Sequence, residues 1–147
     1  MAPARAELSA EVRAKLARPL FWTLATRNRD GWPNLKPVWA ELRDGRVLVN
    51  TGEGWAKHRN SVRDPRVTLG LIEPANPYER VEIRGEVVDV VAGPDAEAQL
   101  DDLAERYLGV RPYPWRRPGE RRVILVIEPR RVIHHVDDDD PATLPVA

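Results

Sequence analysis

Arg80-Val81-Glu82-Ile83-Arg84-Gly85-Glu86-Val87-Val88-Asp89-Val90-Val91 is the stretch whose reading decides the fold. It is rich in β-branched residues and alternates apolar with polar positions, the mark of a half-buried strand. Val81 and Ile83 share one face, and so do Val88 and Val90. The two pairs lie an odd number of residues apart, so strict alternation would put them on opposite faces. A β-bulge at Gly85 shifts the register and restores a single apolar face, and barrels use such bulges to curve their strands.

Upstream, Arg66–Glu73 reads as a mainly buried strand after the Asp64-Pro65 break, joined to the long strand by the rigid Pro74-Ala75-Asn76-Pro77. Leu20–Thr26 is a strand, Asn28-Arg29-Asp30-Gly31 a hairpin turn, and Trp32–Leu42 the returning strand. Pro33 and Pro37 lack amide donors, which demotes that strand to an edge or a bulged position. Asp44-Gly45 is a second turn, leading into Arg46–Thr51. Before all of these, residues 9–17 form a short helix with Leu8, Val12 and Leu16 at four-residue spacing, Ser9 as N-cap and Pro19 as stop. Downstream, Gly93-Pro94 opens a helix to about Leu108, with Leu100, Leu103, Tyr107 and Leu108 on one face. Residues 109–119 are irregular, and two strands follow, Arg121–Glu128 and Arg131–Val136. About seven strands, two or three helices and no βαβ alternation give a mainly β protein, an antiparallel β-barrel with a few short helices. Residues 1–136 form a single domain whose first 19 residues are an N-terminal helix and arm; residues 137–147 are an acidic tail expected to be disordered.

Composition limits what such a domain does. The chain has 147 residues, a formal net charge of zero and no cysteine. No whole-protein field draws in nucleic acid or a membrane, and disulfides, thiol catalysis and Cys-based zinc sites are excluded. There is no apolar run near ~20 residues and no signal-peptide core, so a cytoplasmic protein is expected. His134 and His135 are adjacent on a strand and point to opposite faces, so no metal site is expected. Neither a Gly-x-Ser-x-Gly elbow nor a P-loop is present.

The chemistry-bearing stretch is Val47-Leu48-Val49-Asn50-Thr51-Gly52-Glu53-Gly54-Trp55-Ala56-Lys57-His58-Arg59-Asn60. A strand runs into a Gly-bracketed loop, and a short helix at roughly 55–63 follows. Glycines allow backbone amides to turn toward a ligand, the helix N-terminus adds partial positive charge, and Lys57 and Arg59 can neutralise a phosphate or carboxylate, with Lys57 the first candidate. The stretch reads as an anion seat. Arg59 and Arg63 read as surface residues. Trp39 reads first as core, because large aromatics dominate barrel packing. Trp115, in the Pro-rich 109–119 loop, is a lid candidate.

These pieces together resemble a known family. Leu24-Ala25-Thr26, Asp30-Gly31-Trp32-Pro33, Pro37-Val38-Trp39, Asn50-Thr51, Ala56-Lys57-x-x-Asn60, Asp64-Pro65-Arg66-Val67, Pro77-Tyr78 and Val81-Glu82-Ile83-Arg84-Gly85 fall in order within residues 20–91. The order is similar to that of the pyridoxamine 5'-phosphate oxidase-like superfamily of FMN-binding split β-barrels, above all its actinobacterial branch that uses the deazaflavin coenzyme F420. The resemblance implies a homodimer with the cofactor in a groove at the subunit interface. It places Lys57, Asn60 and Thr51 at the cofactor's phosphate, Lys36, Pro37, Val38 and Trp39 along the tricyclic ring, Asn50 at its polar edge, and Tyr78 and Arg80 in the same groove. Trp55 departs from the small or basic residue common in the family and offers stacking area and one N–H. Lys36 stands where a small hydroxyl residue is common.

The function expected from this resemblance is an oxidoreductase that moves a hydride between reduced F420 and a small conjugated organic substrate. Lys36 is the candidate catalytic residue, stabilising negative charge on the substrate or on the ring. An FMN-dependent oxidase or reductase on the same fold is the alternative, as is a flavin- or deazaflavin-binding protein without turnover. Independently of the family, the Pro-broken edge strand and five tryptophans point to a dimer.

Overall fold

The structure, a computed structural model, describes residues 4–137; the tail beyond Asp137 lies outside the described residues. The chain runs α1 (Ala10–Ala17), β1 (Trp22–Arg27), β2 (Pro33–Val38), β3 (Glu41–Arg43), β4 (Arg46–Gly52), α2 (Ala56–Arg63), β5 (Arg66–Ile72), β6 (Glu79–Ala92), α3 (Pro94–Leu108) and β7 (Arg122–Val136). Every strand pairing is antiparallel, in the order β2-β1-β5-β6-β7-β4-β3.

β2 and β3 stand at opposite ends of that order, yet only Trp39 and Ala40 separate them along the chain. Three steps of extended chain reach about 11 Å at most. The sheet therefore curls until its two edges come close without hydrogen bonding to each other, which makes it a split barrel. The strand expected over Trp32–Leu42 is accordingly two short strands on two different edges, broken where the chain crosses the split. Its prolines sit where they are tolerated, because β2 pairs on one side only, with β1. At the second hairpin Asp44 (φ 53°) and Gly45 (φ 75°) both adopt the left-handed region, as a two-residue I′ turn requires.

The register shift expected at Gly85 is present in the pairing with β7, and a second one follows at Val88. Val81 and Ile83 are buried, the inward alternation continues through Gly85 and Val87, and it changes phase at Val88, which is exposed. The pairing with β7 slips twice: Arg130 is left over opposite Gly85, and Val88 is left over on β6. Gly85 also serves a close approach. A Cβ there would lie 2.7 Å from Ile127 Cγ2 and 2.8 Å from the Glu128 carbonyl oxygen. The two closing strands expected from Pro129 are one strand, because β7 absorbs Pro129 beside its bulge.

Leu8, just before α1, and Val12 and Leu16 within it pack into a core with Trp22, Leu24, Val49, Leu69, Ile83 and Leu125. Ser9 caps α1, accepting from Val12 N at 3.2 Å. An ionic cluster ties the helix to the β5–β6 connection. Lys15 Nζ lies 3.0 Å from Glu73 and 3.1 Å from Glu79, Arg18 meets Glu73 at 2.8 Å, and His134 meets Glu79 at 3.0 Å. α3 covers the outer face of β4 and β7, where Ala96 packs with Leu48, Ile124 and Val126. Gly109, left-handed at φ 72°, ends it. Among the described residues, no helix is long and apolar enough to cross a membrane.

Candidate functional site

The split between the barrel edges opens into a cavity of about 630 Å³. Six parts of the chain wall it: Phe21 just before β1, the end of β2 and the crossing (Pro37, Val38, Trp39), Asn50 of β4, Trp55 and Lys57 at the start of α2, Leu100 and Leu103 of α3, and the segment from Tyr113 to Arg122. Pro37, Val38, Trp39, Asn50, Trp55 and Lys57 are therefore brought together as the sequence suggested. The others are not. Thr51 is fully buried on the inner face with Val47 and Val49, since alternation along β4 sends only Asn50 toward the cavity. Asn60 is spent inside the fold: its Nδ2 donates to Thr26 Oγ1 (3.0 Å) and Asn28 Oδ1 (2.9 Å), and its Oδ1 accepts from Arg63 (2.9 Å). Arg80 lines a different hollow, beside Leu35 and Ile72 on the outside of β1 and β5, and Tyr78 lies in the connection before β6, outside the cavity wall. Lys36 stands on exposed β2, outside the cavity wall but near enough to act on Lys57.

The anion seat has a different construction from the one expected. The amides of the Gly-bracketed loop already have acceptors: Glu53 N donates to Arg121 O (2.8 Å), Gly54 N to His58 Nδ1 (2.9 Å) and Trp55 N to Gly52 O (3.1 Å). Gly52 is a glycine because the Trp55 indole lies over it, with ring atoms 2.3 Å from where a Cβ would be. Positive charge comes instead from side chains. The ammonium of Lys57, a partly buried residue, makes no hydrogen bond or ion pair among the described residues. Burial first, then the charges of Lys36 and Arg122, push its ammonium below the usual lysine value. No acid occupies the first turn of α2 and no side chain caps it, so the positive end of the helix adds to the same potential.

Aromatic rings form the rest of the wall. Trp39 stacks on Tyr107 (centroids 5.1 Å apart, 17° between planes) and meets Tyr113 edge-on at 6.1 Å. Tyr113 in turn meets Trp115 edge-on at 5.8 Å. Tyr107 fixes the crossing, its hydroxyl donating to Leu20 O at 2.7 Å and accepting from Ala40 N at 3.1 Å. The 109–121 segment is fastened onto α3: Asp101 accepts from Tyr113 N (2.9 Å) and Arg116 (3.0 Å), while Glu97 accepts from Arg116 (3.2 Å) and Arg122 N (3.0 Å). Trp115 thus lines the cavity from an irregular segment with a defined seat. Sequence reasoning missed Arg122, Tyr113, Phe21 and the two leucines of α3. The one available signal was Tyr113-Pro114-Trp115-Arg116-Arg117, aromatic and basic residues interleaved in a segment without regular structure.

An open barrel with a cofactor-sized, aromatic and cationic cleft at its split defines the class. The chain belongs to the pyridoxamine 5'-phosphate oxidase family, whose model matches residues 8–136. Among solved structures, an F420 reductase superposes with a TM-score of 0.75 at 31% identity, over 86% of this chain and 98% of that one. The conserved hypothetical protein Rv2991 from Mycobacterium tuberculosis gives a TM-score of 0.67 at 25% identity, over 95% and 98% of the two chains. A heme binding protein from Mycobacterium smegmatis shares the fold alone, with a TM-score of 0.58 at 21% identity, over 88% of this chain and 55% of that one. No curated protein sequence matches the chain.

Proposed function

We propose that the protein is an F420-dependent oxidoreductase acting on a small conjugated organic substrate. The observation that carries this reading is the pairing of unpartnered Lys57 with an aromatic-walled cavity of about 630 Å³. The likeness to the F420 reductase supports the choice of cofactor. The residues present fit such a group. Val38, Trp39 and Leu103 offer apolar area to a planar ring, and the buried Asn50 Oδ1 has no donor. Lys36, Lys57, Arg117 and Arg122 spread positive charge along the rim and suit an oligoglutamyl tail better than a single phosphate. When bound, the deazaflavin would supply the hydride chemistry. The chain would orient the ring, exclude water with Trp115 and Phe21, and hold the tail. Lys36 would stabilise negative charge at the ring edge, and Lys36→Ala is then expected to slow hydride transfer about tenfold or more at saturating cofactor. An unchanged rate would remove that role.

We also propose that the protein is a homodimer. The outer face of β2, β1 and β5 carries Leu35 and Ile72, 63% and 66% exposed, around the hollow that Arg80 lines, and no helix among the described residues covers it. A partner docked there would bring a second subunit's Tyr78 and Arg80 to the groove. Titration of the protein with F420 and separately with FMN, followed by ligand fluorescence, tests the cofactor reading. Tight F420 and weak FMN binding are expected. The reverse order would make it a flavin protein, and tight binding without turnover of any reduced cofactor would make it a binding protein.

A further inference from the structure

The cavity wall contains a cation that the fold fixes in place and pairs with Glu120 while leaving its Nε without a partner. Arg122 opens β7 and is 7% exposed. Its guanidinium carbon lies 4.8 Å from the ring centroid of Trp55 and 5.2 Å from that of Tyr113. Such contacts fix the plane of the guanidinium. Nη2 donates to Glu120 Oε1 at 3.0 Å, but Nε is buried with no partner. The second oxygen of Glu120 accepts from Arg117 N at 3.2 Å, so that carboxylate does not close on the guanidinium as a fork. A buried donor left unpaired has lost its water without gaining a partner, a cost that a ligand oxygen would relieve. The surroundings add to the imbalance, since Lys57 and Lys36 are close enough to repel one another and Glu120 is the one acid on the cavity wall. The neighbouring loop amides are already bonded, so an incoming anion would meet side chains there.

We infer that Arg122 is an oxyanion-recognition residue, its guanidinium held by Trp55 and Tyr113 to take a phosphate-class oxygen of the ligand tail beside Lys57. Trp55, which brings no charge of its own, then serves the site by holding one. The identity of the tail rests on the proposed cofactor, whereas the anion site itself does not.

Three probes separate these statements: F420, its tail-free deazaflavin chromophore, and inorganic pyrophosphate. Each is titrated into the wild-type protein, Arg122→Gln and Arg122→Lys, with tryptophan fluorescence as readout. Arg122→Gln is expected to weaken F420 and pyrophosphate binding about tenfold or more, and to leave the tail-free chromophore within about twofold. Arg122→Lys recovers part of the loss, because an ammonium keeps the charge but not the planar fork. Equal loss for tailed and tail-free ligands would reduce Arg122 to a packing role and overturn the inference. Unchanged affinities, or no pyrophosphate binding by the wild type, would overturn it as well. Pyrophosphate binding through Arg122 without F420 binding would keep the anion site and remove the cofactor reading. Arg122→Gln strands the Glu120 carboxylate, so Glu120→Gln/Arg122→Gln removes the pair together. Its thermal unfolding checks the fold, and its loss of pyrophosphate binding must match that of the single variant.

Discussion

Lys57 enters the folded protein partly buried, with Lys36 and Arg122 nearby and no acid paired to it. Folding depresses the pKa of this base, so its charged form costs stability at neutral pH, and the cost disappears as pH rises through the lowered value. An anion reverses the balance. Lys57→Met is therefore expected to leave the melting temperature unchanged or higher while weakening F420 binding about tenfold or more. The wild type's affinity should fall as pH rises through the lowered lysine pKa, below 10.5, and the variant's should not. Parallel melting curves and fluorescence titrations from neutral to alkaline pH check both. Lys57 was legible because a Gly-bracketed loop precedes it. Asn60, three residues on, looked equivalent, but α2 must bury one face against β1, and Asn60 and Ser61 are the residues on it. Spacing along a helix says which residues share a face and not which way that face turns.

At the scale of the element, the β6–β7 ladder decides the curvature of the barrel. Gly85 lies in it where β7 comes within 2.8 Å of a would-be Cβ. The contact is with backbone as well as Ile127, so neither side moves cheaply. Gly85→Ala is expected to destabilise the protein by about 1–3 kcal/mol, read from urea unfolding, with F420 affinity little changed in the folded fraction. α1 offers a second test. Glu73 is held below the usual carboxylate range by its hydrogen bond from Arg18 and then by Lys15, and Glu79 by His134 and then Lys15. Folded pKa values are depressed here, so this stabilisation is complete above the unfolded value of 4.5 and is lost as pH falls through the lower folded values. The melting temperature should drop on acidification below that point, and Glu73→Gln should lower it at pH 7 and flatten the acid limb. The ladder was read from the odd spacing of apolar residues on β6. The shift at Gly85 was legible, but the extra residue there belongs to β7 and β6 carries its own at Val88, because pairing with the second strand, absent from a single-strand reading, determines where the extra residues go.

At the scale of the whole molecule, one face of the barrel remains uncovered by the described residues. Leu35 and Ile72 are exposed on it beside a hollow of about 400 Å³. α3 protects β4 and β7, and nothing equivalent protects β1 and β5. Sedimentation at micromolar concentration is expected to show a dimer, and Ile72→Asp a monomer that keeps its melting cooperativity but binds F420 more weakly. A monomeric wild type would remove the shared groove from the proposal.

The sequence by itself determined the antiparallel barrel, the edge position of the Pro-bearing β2, the three helices and the cationic start of α2. These follow from local rules: alternation, missing amide donors, caps and turn residues act within a few positions of the chain. Tertiary structure alone decided that Trp32–Leu42 splits between two edges, that the loop amides are already bonded, and that Arg122 reaches Trp55 from more than sixty residues away. Those outcomes depend on how the sheet curls and which strands become neighbours. Curvature sums small contributions from every strand, and no short stretch of sequence contains it.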